Sequence, residues 1–488
     1  MLSPLNLTII LGFIALTTWL GHRASRGTST SRGFFQAEGG MPWWAVSLSL
    51  VATYTSTVTF IAVPTAVFIA GGNLTYAQAV VGFGLGIAVI PVAFGAAFWE
   101  EAEARTIIDF IARRTRREVA DFTLVWGYLS SVLGNCLRLL AAALVLSVVA
   151  RTSLLPCIIV MAALSAAWSG LAGIRTVVWT DVGMFFVFIL GALFCLAWLT
   201  RLIPADLAEI WALLDAHGKL VWLDLSLDPG KSFTVWTALF GASVMQLGTA
   251  SAQGTFQRIR SCRNEGEARR AYLWAAVFSI TPFLMMAVGL GLFAYYQSYP
   301  LGAEAQAQLT SQPDRILPHF IITELPDGVS GLLIVALLAA GVSTLNSVLA
   351  EPADLTVNNV YRRFVRPEAP DAHYVTVSRR AIFLWAFLLS IITWWVGRYQ
   401  EAGLLQLAFQ LPGYVAGVNL GTLLLARLRF RPARRAYFTA VIASGSVVFF
   451  LGQVGVNFWW WYPAGVLALL GITTFGTRLL ERMSHAPA

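Results

Sequence analysis

The sequence predicts an all-α integral membrane protein of about 13 transmembrane helices. Composition points there first, because 57% of the 488 residues are hydrophobic and only 12% are charged, far below the roughly 25% charge of soluble domains. The second observation is a series of apolar runs near the ~20 residues needed to cross about 30 Å of hydrocarbon. The third is the charge distribution: about 26 of the 33 basic residues fall in alternate loops, about six in the others, and one, Arg138, inside a span.

Taken in order, the apolar runs lie at about 5–22, 43–70, 76–99, 122–150, 154–172 and 177–200, and then at about 234–251, 272–297, 329–361, 379–397, 403–426, 437–453 and 458–477. The first run has no basic leader and no small-residue cleavage site after it, so it is expected to be a retained helix rather than a signal peptide. Four scattered cysteines, none in a C-x-x-C pair, imply neither a disulfide framework nor a metal site. The net charge of +8 is better explained by loop orientation than by nucleic acid. Arg23, Arg26 and Arg32, Arg113 to Arg117, Arg258 to Arg270, Arg362 to Arg380 and Arg427 to Arg435 mark one side. That side is expected to be cytoplasmic, which puts the N-terminus outside the cell membrane and the C-terminus inside.

No loop is long enough to fold as a separate domain; the largest, about 201–233 and 298–328, are expected to form short lids. The chain therefore reads as one transporter domain: an extra N-terminal helix (5–22), a first repeat (43–200), a second repeat (234–426) and two extra C-terminal helices (437–477). The five-plus-five grouping with opposite orientation is the inverted-repeat pattern of many secondary transporters. Each half is expected to open on an interrupted helix. The first carries LVATYTSTVT at 50–59, with four threonines and a serine; the second carries MQLGTASAQ at 245–253. Such side chains compete for backbone hydrogen bonds, and a helix opened there frees carbonyls for a ligand. The same hydroxyls also suit close helix packing.

Three further features bear on chemistry. Asp181, several residues into an apolar span, is either an interfacial acid or a guide for a cation, since a buried carboxylate is costly unless paired. In AAGVSTLNS at 339–347, Ser343, Thr344, Asn346 and Ser347 offer hard oxygens that suit Na⁺ better than a transition metal; Ser343, Asn346 and Ser347 share a helix face, with Thr344 about a quarter-turn away. Arg138 calls for an anion, either a protein carboxylate or the carboxylate of a solute. Gln78, near one end of the third span, is weakly informative by itself.

At these residues the chain resembles the sodium:solute symporter family. The matching stretches are MPWWAVSLSLVA at 41–52, VVWTDV at 177–182, QGTFQR at 253–258, EARRAYL at 267–273 and ALLAAGVSTLNS at 336–347. The resemblance implies a LeuT-type fold and a Na⁺ site built from the carbonyls of Ala52, Thr55 and Ala340 with the hydroxyls of Ser343 and Thr344. It implies a second Na⁺ site, found in a subset of the family, at Asp181, Ser343, Asn346 and Ser347. Substrate contacts are implied at Ser56, Thr59, Gln78 and Arg138, a set most like the sialic acid symporter branch. Departures are Asn346 in place of a serine, Gln78 in place of an acid, Ala252 and Gly183.

The expected function is a Na⁺-coupled symporter that imports a small polar organic solute, a carboxylate such as sialic acid, by alternating access. A neutral sugar, amino acid or monocarboxylate is the alternative solute, and a transporter-like solute sensor the alternative role. No enzyme is expected, because the five histidines all fall outside the predicted spans or near their ends. The expected partners are the solute, Na⁺ and the bilayer, with no nucleic acid and no obligatory protein partner.

Overall fold

A computed structural model of the chain describes residues 3–24, 40–398 and 403–484. Arg26 and Arg32, expected on the arginine-rich side, lie outside them. In chain order the helices are α1 (Pro4–Ala24), α2 (Trp43–Tyr54), α3 (Thr57–Phe68), α4 (Tyr76–Glu100), α5 (Ile107–Arg114), α6 (Arg117–Ala150), α7 (Leu154–Leu202), α8 (Leu207–Ala216), α9 (Ser243–Gly248) and α10 (Gln253–Ser261). They continue with α11 (Glu265–Ser298), α12 (Ala303–Ser311), α13 (Ile316–Thr323), α14 (Val329–Val365), α15 (Asp371–Arg398), α16 (Leu404–Arg427), α17 (Arg434–Gln453) and α18 (Trp461–Ser484). Among the described residues, nine helices are long and apolar enough to cross a bilayer, and the bent pair α2–α3 makes a tenth. The other expected spans fall on the N-terminal helix, on Leu154–Gly170 and on the interrupted segment 237–261, which are shorter or broken by the same measure.

The stretch α7 comprises two apolar helices, Leu154–Gly170 and Val177–Leu202, whose contacts run both ways along α14. Met161 approaches Gly341, and Ser169 donates to Asn346 O at 3.0 Å; further on, Gly191 meets Ala336. The chain must turn back between Ser169 and Gly191, where the shorter apolar helix Leu154–Gly170 gives way to the span Val177–Leu202. Helix α14 lies at the centre: 94% of its most apolar window is buried inside the protein, whereas an outer helix turns half its surface to lipid.

Among the described residues, two helices are broken. The pair α2–α3 bends by 55° at Thr55–Ser56, whose backbone is extended (ψ 91° and 174°). In the second half, a π-helical turn at Thr237–Ala242 leads into α9, a 3₁₀ turn at Thr249–Ser251, and an extended Ala252 (ψ 142°) before α10. Close crossings lock the halves together at the end away from the arginine-rich loops. A Cβ on Gly86 of α4 would lie 2.5 Å from Ser243 O, and one on Gly289 of α11 would lie 2.7 Å from Pro64 O; both distances are impossible for a larger residue, so glycine is required for the helices to approach. At that same end, α1 is fastened to α14: Asn6 Oδ1 accepts from Gly328 N (2.7 Å) and Gly331 N (3.1 Å), and its Nδ2 donates to Ser330 Oγ (2.8 Å).

Candidate ion and solute site

The break at Thr55 exposes backbone. Thr55 N still donates to Val51 O at 2.8 Å, and the next main-chain bond runs from Thr59 N to Ser56 O at 2.9 Å. The carbonyls from Ala52 to Thr55 therefore face no amide four residues on, and carbonyls so freed must find another partner. The threonines and serine concentrated here explain the break, since their side chains offer the backbone alternatives to the helix; Thr53 Oγ1, for one, donates to Ser49 O at 2.8 Å.

Helix α14 runs beside this gap. At Gly341 a Cβ would lie 2.7 Å from Thr57 Oγ1, and one turn and a half later Ser347 is joined to Thr53 through Arg258, whose Nη2 donates to Ser347 Oγ (2.8 Å) and Thr53 Oγ1 (2.6 Å). Thr344 lies between these contacts on α14 and Thr55 lies between them on the broken helix. Thr344 is fully buried and donates to Ala340 O at 3.0 Å. Thr57 Oγ1 is buried with no hydrogen-bond partner among the described residues. The side chain of Ser343 lies outside those described.

Asp181 is fully buried. Its Oδ2 accepts from Ser49 Oγ at 2.6 Å and lies 3.7 Å from Arg258 Nη2. Asn346 is turned elsewhere: with its amide oriented to donate, it reaches Ser165 O (3.2 Å) and Val342 O (3.3 Å) on the first leg of α7 and on its own helix.

A cavity of about 330 Å³ opens from the break, within the usual range for small-molecule sites. Ser56, Thr59 and Arg138 line it, with Ser131 and Asn135 on α6, Thr249 and Ser251 on the second broken helix, and Glu351 on α14. Tyr54 OH meets Thr249 Oγ1 at 3.5 Å, so the two interrupted helices touch across the cavity. Aromatic rings close one end: Tyr76 packs on Phe233 (5.3 Å between centroids), Phe83 on Phe409 (5.5 Å) and Phe409 on Trp459 (4.9 Å). The other end runs past Ile107, Thr123 and Leu355 toward the arginine-rich loops. Gln78 does not line the cavity. It is buried, its Nε2 donating to Phe233 O (3.0 Å) and its Oε1 accepting from Asp224 N (3.3 Å), so its amide pins the 221–235 loop over the aromatic rings.

Sequence reasoning missed two acids. Glu351 stands against Gly254 and within electrostatic reach of Arg138 and Arg258, and Asp354 accepts from Gln253 and from Gln257 (2.7 Å). Both sit in AEPADL, within the apolar run 329–361, and two acids in a span are a signal in themselves. Gln253 also accepts from Ile107 N at 2.8 Å, which ties α10 and α14 to the short helix α5.

The model of the Sodium:solute symporter family matches residues 34–443. The chain belongs to the sodium:solute symporter family. As such it is a Na⁺-coupled transporter of a small solute rather than an enzyme, and Na⁺ is the ion it uses. It is 22% identical over 97% of its length to the sodium/sialic acid symporter SiaT of Proteus mirabilis, covering 94% of that protein. To the sodium-dependent multivitamin transporter of Oryctolagus cuniculus it is 26% identical over 85% of its length, and there it spans only 63% of the relative. A solved structure of a Na⁺-coupled sialic acid symporter, substrate-bound and outward-open, superposes with a TM-score of 0.82 over 98% of both chains at 21% identity. The shared architecture of this symporter is the LeuT type.

Proposed function

We propose that this symporter imports a small organic acid, sialic acid in the first instance, together with Na⁺. The observation that carries the reading is the cavity at the helix break, where Ser56 and Thr59 supply hydroxyls and Arg138 supplies a guanidinium able to take a carboxylate in a bidentate pair. Full-length relatives named as sodium/sialic acid symporters support the same solute. The arginine-rich end faces the cytoplasm by the positive-inside rule, with the N-terminus outside, the C-terminus inside and the chain functioning without an obligatory protein partner. The cavity then opens inward, and the aromatic rings form the closed outer gate.

Na⁺ binds at the gap between α2–α3 and α14, held by the carbonyls of Ala52, Thr55 and Ala340 and the hydroxyls of Ser343 and Thr344. Binding there orders the broken helix that carries Ser56 and Thr59, so each ligand raises the affinity of the other by the same factor. The test is uptake of radiolabelled sialic acid by proteoliposomes under an inward Na⁺ gradient. Uptake driven by Na⁺ but not K⁺, and lost by about tenfold or more in Arg138→Ala, is the expected result. Na⁺-driven uptake of neutral sugars alone overturns the choice of solute.

A further inference from the structure

Arg138 and Glu351 line the cavity from facing helices, α6 and α14. These helices run antiparallel: a Cβ on Gly341 would lie 2.9 Å from Ala142 Cβ, whereas further along α14 Thr356 Oγ1 meets Tyr128 OH at 3.1 Å. Side chains lean toward the N-terminus of their own helix, so the guanidinium and the carboxylate approach one level of the cavity from opposite directions. Each lies within electrostatic reach of the other, yet neither makes a direct ion pair among the described residues. Arg258, the other nearby cation, has Asp181 at 3.7 Å. Glu351 Oε1 rests against the backbone of Gly254, in the space a Cβ there would need. A carboxylate accepts at two oxygens with about four lone-pair sites, which leaves capacity for a guest. The α6 wall beside it is polar too: Arg138, Asn135 and Ser131 share one helix face, and Asn135 Nδ2 donates to Ser131 Oγ at 3.2 Å.

We propose that Glu351 sets which acids this symporter accepts: it takes hydrogen bonds from hydroxyls of the solute anchored on Arg138 and repels a second carboxylate. The inference rests on the reading of Arg138 as the anchor and deepens it, narrowing the solute from small organic acids to hydroxylated monoacids. A hydroxyl donating to a charged acceptor makes a stronger bond than one donating to a neutral group. A diacid meets Glu351 whichever end sits on Arg138, and like charges brought together in a desolvated site are strongly unfavourable. An acid without hydroxyls displaces water from the Glu351 carboxylate and gives it no donor in return.

The test is displacement of radiolabelled sialic acid from the purified full-length chain in saturating Na⁺, with competitors of equal carbon number. They are gluconate, hydroxylated with a single carboxylate; glucarate, hydroxylated with a carboxylate at each end; and hexanoate, a monoacid with no hydroxyl. Gluconate is expected to displace the label at concentrations about tenfold or more below either of the others. Glu351→Gln keeps the size and an acceptor without the charge, so glucarate gains until it competes within about twofold of gluconate. Glu351→Asp keeps the charge and draws it back by one methylene: glucarate stays rejected, while the advantage of gluconate over hexanoate shrinks severalfold. That variant preserves the charge beside both arginines, so it carries the test if Glu351→Gln fails to fold. Equal displacement by gluconate and glucarate on the unaltered chain overturns the proposal. So does a folded Glu351 variant that changes the affinity for every acid alike and leaves their ratios intact, the mark of a purely structural role. Sialic acid binding that is absent from the unaltered chain, or that survives Arg138→Ala unchanged, overturns the anchored-acid reading instead, a separate failure.

Discussion

Lys219 places its ammonium on the last carbonyls of α3, donating to Val67 O (2.7 Å), Phe68 O (3.2 Å) and Ile69 O (2.7 Å), with the ring of Phe293 4.4 Å away. A cation at a helix C-terminus meets the negative end of the helix dipole and satisfies carbonyls that lack amides. Replacing it with Met is expected to lower stability by about 1–3 kcal/mol, read as a lower melting temperature in detergent. Burial pushes this ammonium down from its ordinary 10.5 to about 8. The unfolded chain therefore holds the proton more tightly between those values, and stability rises with pH through that window. The melting-temperature difference between the unaltered chain and Lys219→Met should widen from pH 8 to 10.5. At the ion site, Thr344→Ala removes one proposed ligand and should weaken Na⁺ affinity about tenfold, or 1.4 kcal/mol, measured by Na⁺ titration of tryptophan fluorescence.

The interrupted helices were legible because their cause is local: hydroxyl side chains crowded into a span bend it wherever the rest of the fold goes. Asp181 and Arg138 were legible for a similar reason, since ionisable groups in an apolar run stand out by type. What the residues pair with was not, because Arg258 reaches Asp181, Ser49 and Ser347 across 77, 209 and 89 positions, and no periodicity encodes such contacts. Gln78 shows the same limit: its place in the third span was readable, but its bond to Phe233, 155 positions on, was not. At the level of elements, the crossings at Gly86 and Gly289 set how tightly the outer half shuts. Gly289→Leu forces Pro64 and Val67 away and should bias the protein toward the outward-open state. In a Phe83→Cys background, labelling by a membrane-impermeant thiol reagent from outside should rise severalfold; unchanged labelling would remove the crossing as a determinant of closure.

Across the whole molecule, one Na⁺ moving with a monoanionic solute transfers no net charge. A Na⁺ entering alone would gain about 2.3 kcal/mol from a 100 mV potential, and a monoanion entering with it gives the same amount back. With one Na⁺ per monoanion, solute accumulation should therefore follow the Na⁺ concentration gradient and ignore an imposed potential. A potassium diffusion potential set with an ionophore in proteoliposomes checks this, and acceleration by a negative interior would mean that a second positive charge travels. Since Na⁺ binds the folded chain, it should also raise the melting temperature as its concentration climbs past the dissociation constant, where K⁺ at equal ionic strength does not; the gain is about 2.7 kcal/mol at a hundredfold excess.

Asn6 gives the N-terminal helix a duty at the centre. By accepting from the amides of Gly328 and Gly331, it does for α14 what a serine or aspartate normally does for its own helix, over a separation of more than 300 residues. A chain shortened by its first 24 residues would start that central helix with bare amides in the membrane boundary. The fraying would begin four turns above Thr344, and a defect introduced at the very beginning of the chain would be felt as a looser grip on sodium.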